Sequence, residues 1–496
     1  MDNASSDIFI IGGGINGIGI AVDAAGRGLS VTLCEKNDLA SATSSASSKL
    51  IHGGLRYLAT YDFSLVRKAL EEREILLGKA PHLIWPLEFV LPHAKHLRPK
   101  WLIRLGLFIY DHLASHPLLP NSKKINLNND PRGAALHPEL TIGFSYYDCY
   151  DDDARLVATN AIAAREKNAT ILTHTTCIAA TYQNDQWKIE LKNNKTQEHA
   201  IHYAKVLINA AGPWVKSLQK NIIQGAPPVS VELIKGTHII VPKLYAGNFA
   251  YILQNPDERV VFAIPFENDF TLIGTTDVPY NAELDQISST PAEEHYLCNT
   301  INSYFKKSIS PEDILWSYAG VRCLQEDNSD TASEITRDYK FITTNEIALV
   351  TIISGKVTTY RRLAEEVVNT LKHFFPHITP AWTAHSVLPG GDIPNGNFDA
   401  FLASFCEKYS WLPKDLAHRY ARNYGTRVNL ILQEATCLAD LGENFAAGLY
   451  QKEVGYLIQH EWAQSSEDIL WRRTKLGLFF TPADIERLER SLSVQI

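Results

Sequence analysis

The chain has no apolar run approaching the ~18 residues that a bilayer-spanning helix needs, so no helix is expected to cross a membrane. Its opening segment, Met1 to Asp7, lacks the basic and apolar stretches of a secretory leader, and none is expected. Cysteine is sparse: the seven, at positions 34, 149, 177, 298, 323, 406 and 437, are odd in number, scattered and never spaced C-x-x-C. That pattern argues against a disulfide framework and a structural zinc site, predicts no metal, and points to a reducing, cytosolic compartment. Positive charge is not in excess. With 47 Lys and Arg against 55 Asp and Glu the net charge is −8, which removes the global basic field of a nucleic-acid binder. Internal repeats and low-complexity linkers are also missing. What remains, 496 residues with 45% hydrophobic and 21% charged side chains, is an ordinary soluble composition long enough for about three domains.

Against that background the first sixty residues stand out. The apolar, largely β-branched run Ile8-Phe9-Ile10-Ile11 reads as a buried parallel strand. It stops at Gly12-Gly13-Gly14-Ile15-Asn16-Gly17, where Gly12, Gly14 and Gly17 fill G-x-G-x-x-G. A helical pattern follows in Ile18, Ala21, Val22 and Ala25, with Gly28 as its stop. A second strand, Ser30 to Leu33, ends near Glu35, 18 residues beyond Gly17. Glycines there let the backbone approach a pyrophosphate seated on the helix N-terminus, and the acidic residue takes ribose hydroxyls. An adenine dinucleotide is implied, and at this level NAD and FAD fit equally. The segment then runs into a Ser/Thr-rich loop, Thr43 to Ser48, with a basic end at His52, Arg56 and Tyr57.

Further along, helical periodicity recurs at Leu65-Val66-Ala69-Leu70 behind Asp62 and at Leu156-Val157-Ala161-Ala164 behind Asp152-Asp153. The strand-like run Val206 to Asn209 ends in Ala210-Ala211-Gly212-Pro213-Trp214. Strand signals dominate from about 230 to 350 and suit an antiparallel sheet inserted between parts of the nucleotide domain. Ile347 to Ile353 reads as another buried strand leading to Ser354-Gly355-Lys356-Val357-Thr358. After Leu388-Pro389-Gly390-Gly391 the pattern changes to short helices, the last opening at Thr481-Pro482 and carrying Ile485, Leu488 and Leu492. A boundary is placed near 388.

These segments together resemble the aerobic, FAD-dependent glycerol-3-phosphate dehydrogenases of the D-amino-acid-oxidase-like flavoprotein superfamily. The resemblance spans nearly the whole chain. Besides the glycine turn it rests on Thr43 through Leu58, Arg98-Pro99 through Tyr110-Asp111-His112, Asp152 through Leu156, Ala211-Gly212-Pro213-Trp214-Val215 and Ile234-Lys235-Gly236-Thr237-His238. It continues in Ile273-Gly274-Thr275-Thr276-Asp277, Gly320-Val321-Arg322, Thr336-Arg337-Asp338-Tyr339, Gly355 through Arg361, and Trp471-Arg472-Arg473-Thr474-Lys475. Two departures are Ser354, where the family usually has glycine, and Cys323, where proline is common.

The resemblance implies an α/β fold: a Rossmann-type FAD-binding domain (approximately 1–80, 150–225 and 340–387) interleaved with an antiparallel β-sheet substrate domain (approximately 81–149 and 226–339), plus an all-helical C-terminal domain (388–496). FAD would lie on Gly12, Gly14, Asn16, Gly17, Glu35 and Lys36. Thr43, Ser44, Ser45, Ser47 and Ser48 would donate to its pyrophosphate and ribityl oxygens, with Leu50, Ile51, Ile178, Ala211, Gly212 and Trp214 around it. Gly355, Lys356 and Thr358 would hold the flavin, where a cation stabilises the reduced ring.

The implied reaction oxidises sn-glycerol 3-phosphate at C2 to dihydroxyacetone phosphate. A phosphate dianion calls for forked guanidinium donors, and the matched residues are Arg56, Arg322 and Arg337 with Tyr57 and Lys356. Hydride leaves readily only from an alkoxide-like carbon, so a base near neutral pKa is needed; His52 ranks first and His238 second. Arg322 and Lys356 would stabilise the alkoxide. Family members hand electrons to a membrane quinone. Arg98 to Tyr110, mixing basic, aromatic and aliphatic residues, suits an interfacial helix on anionic lipid, and Trp471 to Phe480 has similar character; each could instead be an ordinary amphipathic helix packed on the core. A peripheral position on the inner face of the cytoplasmic membrane follows. The rivals are a glycerol-3-phosphate oxidase using O₂, a D-amino-acid-type oxidase, and an FAD-binding protein without turnover. Homodimerisation, membrane positioning and capping all stay open for the C-terminal helices.

Overall fold

The computed structural model describes residues 4–58, 61–115, 117–326 and 338–495. Arg337 lies outside them. Among the described residues the strands form two sheets, of eight and ten strands. The first has a parallel centre. Strand Ala4–Ile11 pairs in parallel with His199–Asn209 on one side and Val31–Cys34 on the other, and His199–Asn209 pairs in parallel with Leu349–Ser354. Ile8, Phe9 and Ile10 are fully buried, as continuous apolar strands covered on both faces must be. Helix Ile15–Gly26 follows the glycine turn and packs with helices Asp153–Glu166 and Tyr360–Thr370 over one face. The chain leaves that first helix through Gly28 at φ +91°, a conformation that favours glycine.

Three parallel strands of this sheet end together at one edge. Ile11 leads into Gly12, Asn209 into Ala210-Ala211-Gly212, and Ser354 into Gly355-Lys356. Ligands of such sheets bind outside the carboxyl ends of the strands. A Cβ at Gly17 would overlap the carbonyl oxygen of Gly12, so the turn closes only with glycine there.

The second sheet is antiparallel apart from one parallel pairing, of Phe249–Tyr251 with Glu88–Val90. Its long members are Ile84–Pro92, Ile142–Asp151, Val231–Pro242 and Trp316–Gln325. The short strand Leu50–Ile51 joins its edge, pairing with Tyr150 and Cys149. The segment after Glu35 therefore begins at the end of a parallel strand and finishes inside the other sheet.

Residues beyond 390 build a separate apolar core from helices, among them Phe398–Lys408, Lys414–Tyr424, Gln451–Glu461 and Pro482–Gln495. The last opens as its sequence predicts: the Asp484 amide donates to the Thr481 hydroxyl, which itself donates to Asp484, while Leu488 and Leu492 are buried.

Two basic and aromatic segments take different places. Helix Lys100–His112 leaves Trp101, Leu105 and Phe108 exposed, and buries Leu107 and Tyr110. The segment Trp471 to Phe480 takes the second of its two readings and packs against the core. Asp468–Arg473 is a π-helical turn, and Arg472, Arg473 and Lys475 are buried against carboxylates. Among the described residues no helix is long and apolar enough to cross a membrane. Replacing Gly17 with alanine should lower stability by about 3 kcal/mol, since backbone must move to admit the methyl. Urea denaturation of purified Gly17→Ala against the parent measures it.

Candidate cofactor and substrate site

Two cavities, of about 860 and 960 Å³, meet along a shared wall of Gly14, Thr43, Ser44, Gly212 and Gly320 and form one continuous space. The first begins at the glycine turn. Gly12 takes φ +119°, and the first helix opens at Gly14 with no side-chain cap, so its N-terminal amides face the cavity's start. The Glu35 carboxylate accepts from the amides of Gly13 at 2.7 Å and Asn37 at 2.9 Å. Burial pushes its carboxyl pKa up, and those two amides oppose the shift. The Lys36 ammonium sits 4.1 Å above the Trp214 ring, and both line this cavity with Ala211. Of the expected cofactor residues, Gly17, Ile51 and Ile178 line neither cavity; Cys177 reaches the wall beside Ile178.

The Ser/Thr loop walls the space as predicted by its position, but most of its hydroxyls have protein partners. Thr43 donates to the Val321 carbonyl at 2.7 Å, Ser45 to the Ala42 carbonyl, and Ser47 to Asp153 at 2.7 Å. Ser44 accepts from the Ile15 amide at 3.0 Å and keeps its own hydrogen to give. Several of these hydroxyls hold the loop's shape, and buried Lys49, bonded to Asp153 at 2.8 Å, secures its end.

In the second cavity the loop after Leu50–Ile51 brings His52, Arg56 and Tyr57 to face Arg322 and Lys356. The His52 amide donates to Thr358 Oγ1 at 3.2 Å, tying this loop to the turn that carries Lys356. Beneath it, the Gly53 amide donates to the Tyr110 hydroxyl at 2.9 Å, and that hydroxyl donates to Asp148, which is paired with Arg73. A Cβ at Gly53 would come within 2.5 Å of the Tyr110 hydroxyl, so the loop lies flush on that network. Arg322 meets Asp277 at 2.6 Å and Thr275 at 3.3 Å, and Arg56 approaches the other oxygen of Asp277 at 3.7 Å. The Lys356 ammonium lies 3.9 Å over the Tyr57 ring. Asp277 thus gathers two guanidiniums on one carboxylate.

His238 lies differently from His52. It is buried and lines neither cavity; its Nε2 is 2.9 Å from Ser48 Oγ and its ring stacks on Tyr318. Burial first, then the charges of Arg322 and Lys49, hold its pKa well below the ordinary imidazole value. It is a neutral ring behind Ser48, without direct access to the cavity.

A family model described as "FAD dependent oxidoreductase" matches residues 7–355, and one described as "C-terminal domain of alpha-glycerophosphate oxidase" matches residues 381–494. The chain belongs to the FAD-dependent oxidoreductase family. It is 50% identical over 489 residues to a glycerol-3-phosphate dehydrogenase of Pseudomonas aeruginosa, covering 98% of this chain and 94% of that one. It is 47% identical over 480 residues to a D-erythritol 1-phosphate dehydrogenase of Brucella abortus, covering 96% of each. Its structure resembles a glycerol-3-phosphate dehydrogenase from Bacillus halodurans complexed with FAD, with a TM-score of 0.79 at 27% identity over 99% of this chain and 90% of that one.

The residues of this FAD-dependent oxidoreductase fit its cofactor. On the wall of the second cavity, Asn16 Oδ1 is buried with no partner among the described residues, an acceptor open to a ligand donor. Beside it a Cβ at Gly355 would come within 2.6 Å of the Asn16 amide, so the second turn is as closely fitted as the first. Asp277, Thr275 and Gly236 went unnamed as site residues in the sequence reading. A carboxylate two residues past a Gly-Thr pair was the available signal, and its role appears only once Arg322 is opposite. Gly355→Ala should weaken FAD binding about tenfold or more, the cost of overpacking a fitted contact, and leave the apoprotein folded. Flavin-fluorescence titration of the deflavinated protein measures this.

Proposed function

We propose that this enzyme oxidises sn-glycerol 3-phosphate at C2 to dihydroxyacetone phosphate and delivers the electrons to a membrane quinone. FAD, held on the two glycine turns, would supply the two-electron acceptor, with N5 as the atom that receives the C2 hydride. The observation that carries the reading is the cluster of Arg56, Arg322 and Lys356 on the wall of one cavity, with Asp277 between the two arginines. A phosphate dianion suits such a cluster, whose guanidiniums offer the forked donors that orient it. Arg337 is proposed as a further phosphate contact, as its place in the family motif implies. Tyr57 orders both cations beside it, lying under Lys356 and 5.8 Å from the Arg56 guanidinium carbon. His52 takes the C2 hydroxyl proton, and Arg322 and Lys356 stabilise the charge that develops on that oxygen. Buried neutral His238 orients Ser48 and is the weaker candidate base.

The acceptor reading rests on the far arm of the second cavity. Part of its wall is apolar, made by Leu102, Ile103 and Ile109 of the exposed helix together with Ile252, Val260 and Phe262. That helix presents Trp101, Leu105 and Phe108 outward, and Arg98, Lys100 and Arg104 flank them, a combination suited to docking on anionic lipid. The B. abortus relative gives one competing substrate a specific footing, D-erythritol 1-phosphate, which shares the phosphate and a secondary alcohol.

Anaerobic mixing of the holoenzyme with each phosphate, followed by flavin absorbance, tests the substrate. Rapid bleaching by glycerol 3-phosphate is expected, and bleaching only by the erythritol ester would reassign it. His52→Ala should keep its FAD and lose about 100-fold or more in reduction rate; an unchanged rate removes His52 from the mechanism. Reoxidation by a quinone analogue faster than by O₂ separates dehydrogenase from oxidase. Flotation with anionic vesicles, lost when Arg98, Lys100 and Arg104 are changed to serine, checks the docking helix.

A further inference from the structure

We propose that the C-terminal helical domain is part of the cofactor site: through Arg472 and Arg473 it clamps Asp38 and so positions the loop that holds FAD. Asp38 lies three residues beyond Glu35 and is 1% exposed. Its carboxylate accepts from Arg472 Nε at 2.7 Å and from both terminal nitrogens of Arg473, at 3.0 and 2.7 Å. Each arginine is anchored in its own domain. Arg472 also donates to Asp468 at 2.5 Å and Glu467 at 2.7 Å, and Arg473 donates to the Glu461 carbonyl at 2.7 Å. Glu461 in turn pairs with buried Arg155 on helix Asp153–Glu166.

On the loop side the constraint passes directly to the glycine turn. The Ser41 amide donates to the Asp38 carbonyl at 3.2 Å, the Ala40 amide donates to the Gly13 carbonyl at 3.1 Å, and the Glu35 carboxylate accepts from the Gly13 amide. Glu35, Lys36, Ala40 and Ser41 wall the first cavity, and Trp471, Arg472 and Lys475 from the C-terminal domain wall the same cavity. Trp471 stacks on Trp316 with centroids 4.1 Å apart, and Lys475 pairs with Asp152. The domain therefore braces both sheets where the first cavity runs between them. Fixing the loop in advance lowers the ordering cost that FAD binding would otherwise carry.

Arg472 and Arg473 are positioning residues in this reading. Arg472→Gln leaves Asp38 paired with Arg473 and should raise the Kd for FAD at least about tenfold, the loss of one charged hydrogen bond from a preorganised loop. Because the effect acts through the cofactor, kcat and KM at saturating added FAD should return to within about twofold of the parent. The apoprotein should melt at a lower temperature, as the loss of a buried ion pair requires, and stay folded at the temperature of the FAD titration. Arg472→Lys, which keeps a charge on Asp38 with one donor, should weaken FAD binding about two- to fivefold and serves where the glutamine variant does not fold. Arg427→Gln breaks another bridge of the same domain, to Glu166 at 2.6 Å, and should leave the FAD Kd unchanged. A parental FAD Kd in every folded Arg472 variant overturns the proposal, as does equal loss of FAD affinity in Arg427→Gln.

Discussion

Between Glu35 and Ile51 the chain crosses from the end of a parallel strand to the edge of the antiparallel sheet, and it must hold one shape while walling a cavity on the way. Such a stretch has few ladder hydrogen bonds of its own, so its geometry comes from outside. Glu35 fastens its start to the Gly13 amide, Asp153 holds Ser47 and Lys49 near its end, and Asp38 is gripped by two arginines in the middle. Asp38 and Asp153 are buried and Glu35 is half-buried, and each carboxylate receives several donors, the arrangement in which a buried charge is tolerated. Removing one partner of such a pair typically costs about 3–5 kcal/mol, so the crossing is rigid for reasons independent of bound ligand.

The substrate end obeys the opposite logic. Arg56, Arg322 and Lys356 are gathered on one cavity wall, with Asp277 between the two guanidiniums. Electropositive concavity of this kind is suited to an anion and costs stability without one. The supports below it are again fully paired: Arg73, Asp148 and Tyr110 form a buried network under Gly53, and burial raises the Asp148 carboxyl while Arg73 opposes the shift. Rigid, satisfied polar groups beneath and a gathered set of cations above are what a preorganised anion-binding surface requires.

The strands, the glycine turn and the cofactor class were legible because they are encoded locally, in runs of about ten residues with a fixed periodicity. The partners of the loop hydroxyls were not. Thr43 and Ser47 could serve a ligand or the protein, and the choice depends on Val321 and Asp153 arriving beside them. The segment Trp471 to Lys475 shows the same limit more sharply. Basic residues interleaved with aromatics look alike whether they meet lipid phosphates or carboxylates, and Asp38 is 434 residues away from Arg472. Helix Lys100–His112 carries a similar pattern and leaves its apolar face exposed.

By itself the sequence determined the glycine turn at residues 12–17, the acidic residue that follows it, and the change to helices beyond residue 390, since each depends on side-chain size or spacing within one element. Tertiary structure alone decided which charges meet. It set Arg56 and Arg322 on Asp277, retired His238 behind Ser48, and turned Arg472 inward onto Asp38. Ion pairs and hydrogen bonds act over about 3 Å, so their partners are fixed by the packing of whole sheets and domains and leave no periodic trace along the chain.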